Sequence, residues 1–279
     1  MLAGEVDPRT AEVLQGLAKT SLPAQLLQCV NTCLGDYKAA LEGGGDGAAG
    51  SSSPHKPLPP AARAHMQGVL CAAVAALGNA ATALAWEGPD SLTTVWGLLL
   101  EGVGMAARHV PEAGDALEAL LAAAAAVASP APHRSGAAVA EAQLTALLEL
   151  WGGCSTWPAA AQASLAVLLS IVARVACSPA VHKAVGQAMV AGLQSEHLSV
   201  NVVCLDNLVD MWSGDEPAIN AVGAELRLAA TMATATAGLQ SRLESAGTDV
   251  PEALAEQAGE VLENIPGFLT YKGSTLGPA

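Results

Sequence analysis

Aromatic residues are scarce in this sequence. Phe, Tyr and Trp make up 3% of the 279 residues, although 52% of the chain is apolar. The apolar mass is therefore mainly Ala, Leu and Val. Ala and Leu are strong helix formers, and short side chains let helices approach one another closely. Also missing is any convincing run of alternating apolar and polar residues enriched in β-branched types. No Asn-Gly or Asp-Gly pair joins two such runs, which argues against a sheet protein. The expected class is all-α.

Basic residues are few as well. The chain has 12 Lys and Arg against 26 Asp and Glu, a formal charge of -14, and the basic residues stand singly. Neutralising phosphates takes clustered Lys and Arg, so direct nucleic-acid binding is not expected. An acidic surface instead keeps a protein soluble and steers a basic partner toward it.

The residues of catalysis and metal binding form no pattern. Of the six cysteines, Cys29 and Cys33 lie one helical turn apart, while Cys71, Cys154, Cys177 and Cys204 are scattered, and no second close pair or nearby His completes a zinc set. The N-terminus has no cationic segment followed by an apolar core and a cleavage site, so the thiols are expected to be buried, reduced and structural in an intracellular protein. His55, His65, His109, His133, His182 and His197 are dispersed, with His55 and His133 in loops. No phosphate-binding glycine loop and no nucleophile elbow occurs, and Gly102-Val103-Gly104 lies in a helical context. The sequence therefore points to no enzyme, cofactor or metal.

Two uncharged stretches test the soluble reading. Ala64 to Trp86 runs 23 residues without Asp, Glu, Lys or Arg, long enough to span a bilayer. Leu150 to Ala173 is similar. The first is dominated by Ala, which contributes little to membrane insertion, and Pro158 splits the second. Both are expected to be helices buried between other helices, with no membrane contact.

Apolar spacing predicts helices over Arg9 to Lys19 and Pro23 to Leu41, then over 61–86, 90–109, 112–128, 137–152, 158–177, 179–194, 197–212, 216–244 and 250–272. The connections are short and rich in Gly, Pro, Ser and Asp, so successive helices are expected to be antiparallel neighbours. Between Ala137 and Trp212 two helices recur about every 40 residues, a period of HEAT or armadillo repeats. The expected architecture is an α-solenoid of stacked antiparallel helix pairs, with an irregular bundle as the alternative. It divides into an N-terminal helical pair (1–42), a Gly/Ser/Pro-rich disordered loop (43–60), a helical-repeat solenoid (61–273) and a flexible tail (274–279).

The last third is the most specific. Val202, Leu205, Leu208, Val209 and Trp212 share one helix face, with Asp206, Asn207 and Asp210 opposite. Ser213 to Glu216 then turns into a helix beginning near Pro217, for which Ser213 or Asp215 is a candidate cap. Trp86, Trp96, Trp151, Trp157 and Trp212 are candidates for a peptide-binding row, but their places near helix ends favour packing. The candidates for meeting a basic partner are Asp206, Asp210, Asp215 and Glu216, with Glu225 beyond them.

Leu205 to Trp212 (LDNLVDMW), the acidic turn after it, Gln240 to Glu244 (QSRLE), Glu263-Asn264-Ile265 and Phe268 to Tyr271 (FLTY) resemble the carboxy-terminal end of the symportin family. The resemblance spans Ser199 to Tyr271. It implies a HEAT and armadillo repeat adaptor that escorts newly made 5S-RNA-binding ribosomal proteins into the nucleus for large-subunit assembly. The implied partners are basic ribosomal proteins and an import receptor, and the implied location is cytoplasm and nucleus. Symportins are longer, and their cargo-binding repeats and acidic loop have no match here, since Gly43 to Pro60 holds a single acidic residue, Asp46. The chain therefore resembles the carboxy-terminal portion of such an adaptor, and the family's cargo contacts transfer to no residue. A general HEAT or armadillo scaffold is the alternative, and a membrane-associated helical protein a more distant one.

Overall fold

The computed structural model describes residues 21–42, 58–83, 89–129, 141–176 and 178–278, together with Gly16. The predicted helix at Arg9 to Lys19, the 43–57 segment, Trp86, Cys177, His55 and His133 lie outside these. Among the described residues there are eleven α-helices, two short 3-10 turns and no strand. The helices are α1 (Leu22–Glu42), α2 (Pro60–Ala83), α3 (Pro89–Ala107), α4 (Gly114–Ala128), α5 (Glu141–Gly153), α6 (Ala159–Ala176), α7 (Pro179–Gly192), α8 (Leu198–Met211), α9 (Pro217–Glu225), α10 (Leu228–Ala246) and α11 (Glu252–Lys272). The all-α class read from composition holds.

Contacts divide the chain into two compact units, Met1–Ala137 and Ala138–Ala279. In the first, α1 packs on α2 and α3 on α4, and the two pairs join through α2 and α4. This departs from the expectation that every successive helix is a neighbour, because α2 makes its extensive contact with α4 rather than α3. Stacked repeats produce that pattern: the second helix of one pair lies beside the second helix of the next. The alanines make it possible. A Cβ on Gly78 of α2 would lie 3.2 Å from both Cα and Cβ of Ala123 in α4, so the two helices cross nearly backbone to backbone. Leu70, Val74, Leu77, Leu117, Leu120 and Leu121 fill the core on either side.

The second unit repeats the arrangement. The helices starting at Glu141, Pro179 and Pro217 begin at equal steps along the chain, and α8 contacts α6, α7, α10 and α11. Its buried face is Val202, Leu205, Leu208, Met211 and the following Trp212. Asn207, expected on the polar face, is buried with them. By length and composition α6 could cross a membrane, yet Leu165, Leu168, Leu169, Val172 and Ala173 are buried within the protein.

Two other expectations need correction. The helix predicted over 216–244 is two helices. Leu226 and Arg227 close α9 through their N–H groups onto Val222 and Ala224, Arg227 adopts a left-handed conformation (φ 52°), and α10 begins at Leu228, which is fully buried. The tail expected to be flexible from 274 instead folds back on α9. Thr275 and Leu276 donate their N–H groups to Lys272 O, at 2.9 and 2.8 Å, and Leu276 is fully buried.

Candidate protein-binding surface

The four carboxylates expected to meet a partner occupy two different settings. Asp206 and Asp210 project from α8. Arg174 of α6 bonds Asp210 at 3.1 Å, and that pair is solvent-exposed, so it contributes little stability. Asp206 stands where α8 meets α11. Burial, then the charges of Asp210 and Glu260, push its carboxyl above the usual carboxylate range, with Arg174 acting weakly in the other direction. Three carboxylates from two helices thus share a face that like-charge repulsion makes costly.

Glu260 is not among the carboxylates expected from the sequence to meet a partner. Its signal was present: Glu252, Glu256, Glu260 and Glu263 recur at helical spacing along α11 and all are exposed. What the spacing alone could not show is that Glu260 of this stripe lies near Asp206.

A raised folded pKa means that the native state holds the proton more tightly than the unfolded chain. The stabilisation is present at low pH and lost as pH rises through the folded value, so at neutral pH the Asp206 charge is a net cost. Asp206→Asn is expected to stabilise the second unit at pH 7 by less than ~1 kcal/mol. Urea denaturation followed at pH 7 and again below the ordinary carboxylate pKa of 3.8 checks this, because the gain should vanish in acid.

Asp215 and Glu216 lie beyond α8. Asp215 is not the helix cap it was expected to be: the N-cap position of α9 is Glu216, which makes no side-chain capping bond. Asp215 instead accepts the Tyr271 hydroxyl at 2.9 and 2.8 Å and the Lys272 ammonium at 3.0 Å. The Tyr271 bond first and the Lys272 bond second hold its carboxyl below the usual range. Lys272 also donates to Gly214 O and to Asn220 Oδ1 (3.5 Å), and is itself 1% exposed. This group ties the end of α11 to the turn after α8. Glu216 remains exposed, and Glu225 pairs with Lys183 of α7.

The described tryptophans pack. Trp96, Trp157 and Trp212 are buried and Trp151 is half-buried. Trp212 donates Nε1–H to Ile219 O at 3.0 Å and meets the edge of His182 at 5.6 Å. Burial pushes the His182 pKa down from 6.5 more strongly than contacts with Ser178, Met211 and Glu216 raise it. The unfolded chain therefore takes up a proton that the folded one resists. Stability of this unit is expected to be flat above pH 6.5 and to fall as pH drops below it. Denaturation midpoints across pH 5 to 8 test this, and His182→Gln should flatten the profile in that window.

Nothing else in the described residues assembles a reaction centre. No group of three or more His, Cys, Asp or Glu converges to hold a metal. Burial pushes the thiols of Cys154 and Cys204 up to about 11 and 12, so both are un-ionised and inert. Cys29 is exposed and Cys33 half-buried, which corrects the expectation that the thiols are buried, and Cys71 is half-buried.

A second feature of this unit is a cleft of about 560 Å³ between the 193–195 turn, α8 and α10, with Asn201, Gly238 and Arg242 among its walls. Arg242 donates to Ser195 O (3.2 Å), to Glu196 O and to Asn201 Oδ1, and Asn201 in turn donates to Gly192 O and Ser195 O. The Gln240 to Glu244 segment carries part of the family resemblance, and nothing in its spacing marks this role for Arg242.

No curated protein and no solved structure matches the chain significantly. The family model for SYO1-like TPR repeats matches residues 52–276, far beyond the Ser199 to Tyr271 stretch that carried the resemblance to symportins. Helix pairs stacked within each unit are the building blocks of an α-solenoid, as that family's repeats require. With the match covering most of its length, the chain belongs to the SYO1-like, symportin-type family of TPR-repeat proteins.

Proposed function

We propose that this protein is a non-enzymatic adaptor and chaperone for basic ribosomal proteins, the large-subunit proteins that bind 5S RNA, in nuclear import and ribosome assembly. Family membership supports a helical-repeat adaptor, and the symportin resemblance supports this cargo class. The observation that carries the reading is the face formed by Asp206, Asp210 and Glu260. There burial and two like charges push the Asp206 carboxyl above the usual carboxylate range. A cationic segment laid across the face removes that repulsion, so binding recovers free energy that the unliganded protein lacks.

In this reading Asp206, Asp210 and Glu216 contact the cargo, while Asp215 contributes through the field of a carboxylate anchored by Tyr271 and Lys272. An import receptor is the second partner, the protein works in cytoplasm and nucleus, and neither nucleic acid nor membrane is contacted directly. Tagged full-length protein recovered from its own cell extract at moderate ionic strength tests this. Enrichment of the 5S-RNA-binding ribosomal proteins or an import receptor is the expected result. Enrichment of unrelated partners alone would replace the reading with a general repeat scaffold.

A further inference from the structure

The cleft between α8 and α10 has a chemistry unlike the acidic face. Leu193, Leu205 and Leu239 lie buried beneath it, and α10 turns Ala230, Thr231, Thr234, Ala235 and Gly238 toward it, so its apolar surface is methyl groups of Ala and Thr. These positions follow helical spacing, so one face of α10 is small throughout. Gly238 is exposed mid-helix and a Cβ there would meet nothing within 4 Å. A glycine at such a position costs the helix about 1 kcal/mol relative to Ala, and no close approach of another element requires it.

The cleft wall carries a cation, Arg242, with no ion-pair partner among the described residues. Each hydrogen bond from Arg242 ends on a neutral oxygen: Ser195 O, Glu196 O or Asn201 Oδ1. Those bonds fix the guanidinium plane, and the five N–H groups of an arginine leave further donors for a ligand. A planar guanidinium with fixed orientation suits a carboxylate, which it can grip through two parallel bonds. A volume of about 560 Å³ lies within the usual range for ligand clefts.

We propose that this cleft binds a short extended peptide carrying a carboxylate beside an aliphatic side chain. The carboxylate pairs with Arg242 and the aliphatic group lies along the Ala230, Thr231, Thr234 and Ala235 face of α10. The site is independent of the acidic face, takes a ligand of opposite charge, and stands whether or not the cargo reading above holds. An adaptor with both sites can hold a basic partner and an acidic peptide together.

Selection of full-length protein against a random heptapeptide library, followed by anisotropy titration of the enriched peptides in 150 mM salt, tests the proposal. Enriched peptides should carry Asp, Glu or a free C-terminus next to an aliphatic residue. Replacing that acid by its amide should weaken them about tenfold. Gly238→Leu fills the cleft without touching the Arg242 bonds and favours the helix, so it should abolish binding in a folded protein. Arg242→Gln should weaken it about tenfold as well. Failure to enrich any peptide, enrichment of Lys- or Arg-bearing peptides, or undiminished binding to Gly238→Leu would each overturn it.

Discussion

Trp212→Ala is expected to destabilise the second unit by about 3–5 kcal/mol, the range for removing a large aromatic from a packed core. Trp212 is fully buried at the end of α8 and joins three helices. Its Nε1–H bonds Ile219 O in α9, and its ring edges His182 in α7. The neighbouring backbone is shaped to the indole. A Cβ on Gly186 of α7 would stand 2.7 Å from ring atom Cη2, and one on Gly223 of α9 would stand 2.7 Å from Nε1 and overlap Leu276. The truncation thus leaves a cavity bounded by glycines that cannot fill it, and removes the indole donor from the Ile219 carbonyl. Hydrogen exchange localises the effect: amides of α7, α8 and α9 should lose protection by more than about a hundredfold, while those of α1 to α4 keep theirs. Gly223→Ala, which adds volume at the same place, should cost about 1–3 kcal/mol.

Lys272→Met is expected to cost about 1–3 kcal/mol, because the thioether replaces the buried stem but leaves Gly214 O and Asn220 Oδ1 without their donor. The larger part of the effect comes from those acceptors rather than from the ion pair. Asp215 is largely exposed, at 76%, and keeps its Tyr271 bond. Asp215→Asn should accordingly cost much less than Lys272→Met. Urea denaturation of the two variants makes the comparison, and equal losses would mean that the ion pair dominates after all.

The class and most helix boundaries were legible because they depend on local information: Ala and Leu content, apolar spacing, and Pro or Gly at the breaks. The predicted 197–212 and 250–272 helices differ from α8 and α11 by at most two residues at either end. The break at Arg227 was not legible. Nothing in Glu225 to Leu228 marks a stop, and the left-handed residue is imposed by burial of Leu228 on one side and Val222 on the other. The same limit explains Asp215. Its sequence context fits a cap, but Tyr271 and Lys272 compete for its carboxylate from more than 50 residues away. Long-range charge neighbours are likewise invisible in one dimension, so Asp206 and Asp210 were identified as candidates while Glu260, which completes their face, was not.

In the proposed function the carboxylates of α8 and α11 hold a basic ribosomal protein. The most direct measurement is a calorimetric titration of the full-length chain with a purified 5S-RNA-binding ribosomal protein at two salt concentrations. It is then repeated with the Asp206→Asn, Asp210→Asn, Glu260→Gln triple variant. The expected result is binding that weakens steeply with salt and falls at least about tenfold in the variant. Absence of binding, or equal affinity for the variant, would contradict this role for the acidic face.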